Sequence, residues 1–65
     1  MIDIEKIKQL REKRGLTQQQ AAEKAGLSSR QAWHNIEAGR QPNLGVQMLE
    51  KVAAALGVKA RDLLR

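Results

Sequence analysis

The chain has 65 residues, the size of one small domain, and it contains no cysteine and a single histidine. This composition excludes disulfides, cysteine–zinc sites and histidine-rich metal sites, and no apolar run reaches the roughly 20 residues that span a membrane. Twelve Lys and Arg against seven Asp and Glu give a net charge of +5. Such a balance favours a polyanionic partner, usually nucleic acid, although a basic protein without one is the alternative. We expect one cytoplasmic domain over residues 1–65, with no metal or cofactor.

The first predicted element is a helix between Asp3 and Gly15. Ile4, Ile7 and Leu10 recur at three-residue spacing, which places them on one face of a helix. Asp3 suits the N-cap position, and Gly15 suits the position just after the last turn. This segment is therefore predicted to pack its apolar face against the rest of the domain.

Two short helices joined by a turn are predicted next. Thr17 and Gln20 have the spacing of a capping box, in which each side chain bonds the backbone N–H of the other residue. A helix is therefore expected over residues 17–25, followed by a turn around Gly26 and a second helix over residues 29–38. This order is the helix-turn-helix arrangement, although any small helical bundle contains such corners.

Residues 46–56 give the clearest helical pattern of the chain. The apolar side chains on one face are Val46, Leu49, Val52, Ala53 and Leu56. Gly45 is a weak N-cap candidate, and Gly57 ends the helix. A last turn or two follows in ARDLLR, where Leu63 and Leu64, together with the fourth helix, are candidates for self-association. No strand pattern occurs, so an all-α fold of about five short helices is predicted.

The helix over residues 29–38 has two contrasting faces when its residues are placed at 100° intervals. With Ile36 inward, Trp33, Ala32 and Ser29 share the inward side. The outward side carries Arg30, Gln31, His34 and Ala38, with Asn35 and Glu37 at its edges. Arginine pairs with guanine, and glutamine or asparagine with adenine, in the DNA major groove. This face is thus a candidate for base recognition, and an ordinary polar solvent face is the alternative.

Trp33 is the only tryptophan, in a chain without Phe or Tyr, and it adjoins the only histidine. Because Trp33 shares a face with Ile36, we interpret it as a core residue rather than a base-stacking platform. Burying its indole contributes about 3 kcal/mol. His34 points outward, and no Ser, His and Asp spacing places a catalytic triad. We do not expect an enzyme.

Nearly the whole chain, from Ile4 to Leu64, resembles the Cro/C1-type (XRE-like) helix-turn-helix DNA-binding domains. The resemblance rests on LREKRGLTQQQAAEKAGL, IEAGR, NLGVQMLEKVAAALGV and ARDLL, whose order and spacing together are specific. It implies a lambda-repressor-like bundle whose second helix braces on the DNA backbone and whose third enters the major groove. It also implies a bacterial, phage or mobile-element regulator, a repressor that binds a near-palindromic operator as a homodimer without a small-molecule ligand. An antitoxin-like protein-interaction module with the same fold is the alternative.

The resemblance assigns roles position by position. Base readout falls to Arg30, Gln31, His34 and Asn35. DNA-backbone contacts fall to Thr17, Gln18, Ser29, Arg40 and Asn43. An ion pair between Arg11 and Glu37 is implied to tie the first helix to the third. Glu37 is therefore expected to be a scaffold residue and not a base reader.

One departure from the family concerns spacing. From Gly26 to Gly39 the chain is one residue longer than usual. Anchoring on IEAG puts the extra residue in the turn at residues 28–29 and gives Trp33 the usual aliphatic core position. Anchoring on Gly26 puts Ala32 there and shifts every predicted base reader by one residue. The helical wheel favours the first register.

A second departure is Ala21, where the family usually carries a leucine on the second helix. We hypothesise that the Trp33 indole fills the space of the missing leucine side chain. The exchange would conserve core volume across the helix pair.

Overall fold

The computed structural model describes residues 2–40 and 44–64, and it shows four α-helices followed by a single 3₁₀ helix. The elements are α1 (Ile4–Lys13), α2 (Gln18–Lys24), α3 (Arg30–Glu37), α4 (Val46–Leu56) and the 3₁₀ helix (Ala60–Leu63). The predicted all-α fold is confirmed, with the fifth element shorter and tighter than an α-helix. None of the described helices is long and apolar enough to cross a membrane.

The two ends of the described chain lie side by side and are hydrogen-bonded to each other. Leu64 is extended after the 3₁₀ helix and forms an isolated antiparallel bridge with Ile2. The backbone N–H of Asp3 donates to the carbonyl of Leu63 at 2.7 Å. The described ends of the chain therefore meet beside α1, which holds the last turn against the bundle.

Side-chain caps define where the first three helices begin. Asp3 accepts from the backbone N–H of Lys6 at 3.2 Å. The predicted capping box is present, because Gln20 N donates to Thr17 Oγ1 at 3.0 Å and Thr17 N donates to Gln20 Oε1 at 2.9 Å. Ser29 accepts from the N–H of Ala32 at 3.3 Å. The helical-wheel placement of Ser29 on the inward side is wrong, since this residue precedes the helix and its exposed side chain turns back as the cap.

The core is built from the inner faces of all the helices. Its buried residues are Ile7, Ala21, Ala22, Ala25, Trp33, Ile36, Leu49, Val52, Ala53, Leu56 and Leu63. Trp33 is the largest of them, and its side chain is 0% exposed. Ala21 and Ala22 of α2, and Ala25 just after it, belong to the same buried cluster as the indole.

Two predictions about apolar side chains are wrong. Val46 was expected on the core face of the fourth helix, but it is 73% exposed, because it is the first helical residue and lies a full turn beyond the core contacts of Leu49. Leu63 was a candidate for self-association, but it is 0% exposed, because the 3₁₀ turn folds it over the core. Leu64 remains half-exposed, at 48%.

Trp33→Ala is expected to destabilise the domain by about 3–5 kcal/mol, because it removes the largest buried side chain and leaves a cavity. Urea unfolding followed by circular dichroism measures this loss. Val46→Ala is the matched control, since truncating a largely exposed side chain changes stability by less than about 0.5 kcal/mol.

The volume-exchange hypothesis for Ala21 and Trp33 has a separate test. Both residues are fully buried in one core cluster. In the wild-type background, Ala21→Leu should overpack the core and cost about 1–3 kcal/mol. In a Trp33→Leu background the same substitution should stabilise the domain, because the leucine refills the vacated space. Additive effects in this double-mutant cycle would refute the hypothesis.

Candidate nucleic-acid interface

The outward surface of α3 presents the side chains that the sequence predicted to contact bases. Arg30, Gln31 and His34 are exposed and Asn35 is half-buried, and we call these four residues the reading face. The opposite side of α3 buries Trp33 and Ile36. Trp33, rather than Ala32, thus occupies the core position, which agrees with the register anchored on IEAG.

Two members of the reading face are bonded to each other. Gln31 Nε2 donates to Asn35 Oδ1 at 3.0 Å, a contact between residues four apart on the helix surface. The pair keeps a free acceptor, Gln31 Oε1, and free donors on Asn35 Nδ2. In the described part of the chain the side chains of Arg30 and His34 make no hydrogen bond or ion pair. The face therefore offers both donors and an acceptor to a ligand.

Behind the reading face, the Glu37 carboxylate accepts hydrogen bonds from N–H donors on three helices. We call the four residues involved the Glu37 cluster: Glu37, Arg11, Gln18 and Trp33. Oε2 accepts from Arg11 Nε at 2.6 Å and from Trp33 Nε1. Oε1 accepts from Arg11 Nη2 at 3.3 Å and from Gln18 Nε2 at 3.4 Å. The implied ion pair between Arg11 and Glu37 is present, with side chains only 12% and 6% exposed.

The electrostatics of Glu37 follow from this arrangement. Burial alone raises the pKa of the Glu37 carboxyl. The hydrogen bonds from Arg11, Trp33 and Gln18, together with the charge of Arg11, lower this pKa by more than burial raises it. The net result is a pKa below the ordinary value of 4.5. Glu37 is therefore ionised at neutral pH and acts as a structural anchor.

Sequence reasoning missed two contacts of the Glu37 cluster. The bond from the Trp33 indole has a sequence signal, because Trp33 and Glu37 are four residues apart on one helix and lie over the same surface. The bond from Gln18 has none, since it depends on how α2 packs against α3. That contact leaves one N–H of the Gln18 carboxamide available to a ligand.

The described residues among those predicted to contact the DNA backbone lie around the ends of α2 and α3. The hydroxyl oxygens of Thr17 and Ser29 accept the capping bonds, so their O–H groups can still donate outward. Arg40 is exposed just beyond α3. Asn43 lies outside the described residues.

A cavity of about 350 Å³ adjoins the reading face between α1 and α3. It is lined by Lys8, Arg11, Gln18, His34, Glu37 and Ala38. It brings His34 of the reading face together with Gln18, and it adds Lys8, for which the sequence pattern predicts no role. Across the described residues no three His, Cys, Asp or Glu side chains are grouped as a metal site.

Comparison with known proteins matches residues 5–65 to a family described as "Helix-turn-helix domain". The chain is 40% identical over 60 residues to proteins named "HTH-type transcriptional regulator SinR" from Bacillus subtilis (strain 168) and from Bacillus licheniformis. The alignments cover 92% of this chain and 53% of each relative. The chain thus spans about half the length of the curated relatives it matches. No solved structure matches it significantly.

Glu37→Gln is expected to cost about 3 kcal/mol of stability at pH 7, because it leaves the nearly buried Arg11 guanidinium without its counter-charge. Since the folded-state pKa of Glu37 is depressed, its contribution is complete above the ordinary value of 4.5 and declines as pH falls toward the folded-state value. Urea unfolding of both proteins between pH 7 and pH 3 measures the difference.

The stability gap between wild type and Glu37→Gln should therefore narrow in acid. Glu12→Gln, an exposed substitution on α1, is the control for general charge effects. A gap that stayed constant down to pH 3 would show that the ionised carboxylate is not what holds the three helices together.

Proposed function

Because the chain belongs to the Cro/C1-type helix-turn-helix DNA-binding domain family, we propose that it is a transcriptional regulator that reads the major groove of double-stranded DNA with α3. The observation that carries this proposal is the reading face. Three of its four side chains are exposed, on a helix whose other side is fixed by Trp33 and the Glu37 cluster. A rigid helix with free polar groups on one side is what direct base recognition requires.

The chemistry of the reading face suggests which bases it recognises. The Arg30 guanidinium has no partner in the described structure and can donate two hydrogen bonds to guanine O6 and N7. The bonded Gln31 and Asn35 amides offer an acceptor beside donors, which complements the N6–H and N7 of adenine. We assign His34, on the same exposed surface of α3, to a further base or phosphate contact.

Contacts to the DNA backbone set the affinity and the docking position of this face. We assign them to Thr17, Gln18, Ser29, Arg40 and Asn43. The first three keep free N–H or O–H donors after their intramolecular bonds are counted. Phosphate contacts carry no sequence information, so they should strengthen binding to every duplex alike.

We further propose that the protein represses transcription as a homodimer on a near-palindromic operator. A single small domain buries limited DNA surface, so two copies are needed for strong specific binding. The exposed apolar side chains of Leu64 and of Val46, at the start of α4, are the candidates for the surface between copies. Leu63 is excluded from that surface by its burial.

Selection of bound duplexes from random DNA, followed by binding measured against salt, tests the proposed function. The protein should bind one selected duplex much more tightly than competitor DNA. The logarithm of that affinity should fall linearly with the logarithm of the salt concentration. If selected and random duplexes bound equally weakly, the antitoxin-like protein-interaction module would become the better interpretation.

Two substitutions measured on the selected duplex separate base readout from backbone contact. Gln31→Ala should relax the preference at one base pair by about 1–3 kcal/mol. Arg40→Ala should weaken binding to all sequences similarly and reduce the salt slope by about 1. An Arg40→Ala effect confined to the selected sequence would contradict the backbone role of Arg40.

A further inference from the structure

The cavity between α1 and α3 has an unbalanced positive charge. Arg11 and Glu37 on its floor neutralise each other through their ion pair. Lys8 stands at the cavity on exposed α1 surface, and it has no ion pair or hydrogen bond within the described parts of the chain. The net charge of the lining is thus set by Lys8.

The lining is also rich in N–H donors that lack acceptors. Each Glu37 carboxylate oxygen already accepts from two donors, so the carboxylate is saturated toward its neighbours. Gln18 Nε2 uses one of its two N–H groups on Glu37. The Lys8 ammonium adds three more N–H donors. Convergent N–H donors around a cation are suited to phosphate oxygens.

The cavity lies next to the proposed path of DNA. His34 lines the cavity and belongs to the reading face. A duplex whose major groove received the reading face would therefore carry one of its strands past this opening. Ala38 in the lining has only a methyl side chain, so it leaves room for a sugar–phosphate chain.

We infer that the cavity between α1 and α3 is a binding site for one phosphodiester of the DNA backbone, with Lys8 as its cation and Gln18 as its hydrogen-bond donor. Glu37 accepts a hydrogen bond from the Gln18 carboxamide at this site. The inference rests on the proposed function and extends it to Lys8, which the family pattern did not assign. It places a backbone contact on α1, outside the helix-turn-helix.

The first test compares Lys8→Gln with Lys6→Gln on the selected duplex and on random duplexes. Both residues are exposed on α1, but a separation of two residues puts them about 200° apart around the helix. Lys8→Gln should weaken binding to all duplexes by about three- to tenfold and lower the salt slope by about 1, as expected for one lost phosphate contact. Lys6→Gln should change both much less. Equal effects of the two substitutions would overturn the site.

The second test locates the phosphate. The selected duplex is prepared with a neutral methylphosphonate at one backbone position at a time. Wild-type protein should lose affinity at the position that occupies the cavity. Lys8→Gln should lose nothing further there, while still losing affinity at the other contacted positions. If each methylphosphonate reduced the affinity of Lys8→Gln as much as that of wild type, Lys8 would contact no particular phosphate. That result overturns the inference.

These measurements distinguish the inference from the function on which it rests. A protein that binds no duplex specifically fails the proposed function, and the phosphodiester site fails with it. Specific binding without coupling between Lys8 and any phosphonate position refutes the site alone. Inorganic phosphate, titrated against amide resonances of wild type and Lys8→Gln, examines the other source of the same chemistry. Saturable phosphate binding without coupling to the duplex backbone would overturn the assignment to DNA.

Discussion

The Glu37 carboxylate is the interaction on which the arrangement of the first three helices depends. It accepts N–H donors from α1, α2 and α3 at once, through Arg11, Gln18 and Trp33. Burying a charge costs free energy of folding unless the charge is paired and hydrogen-bonded. The carboxylate therefore needs each of these donors at its present position. The arrangement satisfies the only polar atom of the Trp33 indole with a residue of the same helix. The largest described core side chain and the nearly buried Glu37 carboxylate are therefore a single unit, and α3 is fixed by both.

Much of the fold could be predicted because its signals are local. Caps at Asp3 and Thr17, apolar residues at helical spacing, and Gly57 as a helix end each act within a few residues, and the structure places the helices accordingly. The two errors about apolar side chains, at Val46 and Leu63, share one cause. Whether Val46 reaches the core, and whether Leu63 faces solvent, depends on where α4 begins relative to the bundle and how the last turn folds back. No local pattern contains that information.

The candidate site divides in the same way. The helical wheel separates the reading face from Trp33 and Ile36, because both lie on a single eight-residue helix. The partners of Gln18 and the position of Lys8 beside His34 come from packing between different helices. From the pattern of α1 alone, Lys8 is expected to be an ordinary solvated surface charge. Its proximity to α3 is a property of the fold, and no pattern within α1 contains it.

The register of α3 follows from the same carboxylate. Residues four apart on a helix contact each other, and Trp33 is four residues before Glu37. If Ala32 took the core position, the residue four beyond it would be Ile36, and the carboxylate would turn away from Arg11. On the register that we propose, the extra residue is absorbed before the helix begins, where Ser29 provides the cap. The contact between Trp33 and Glu37 fixes the spacing of these two residues, so a change in length falls in the turn before the helix. The orientation of the reading face is thus fixed from inside the core.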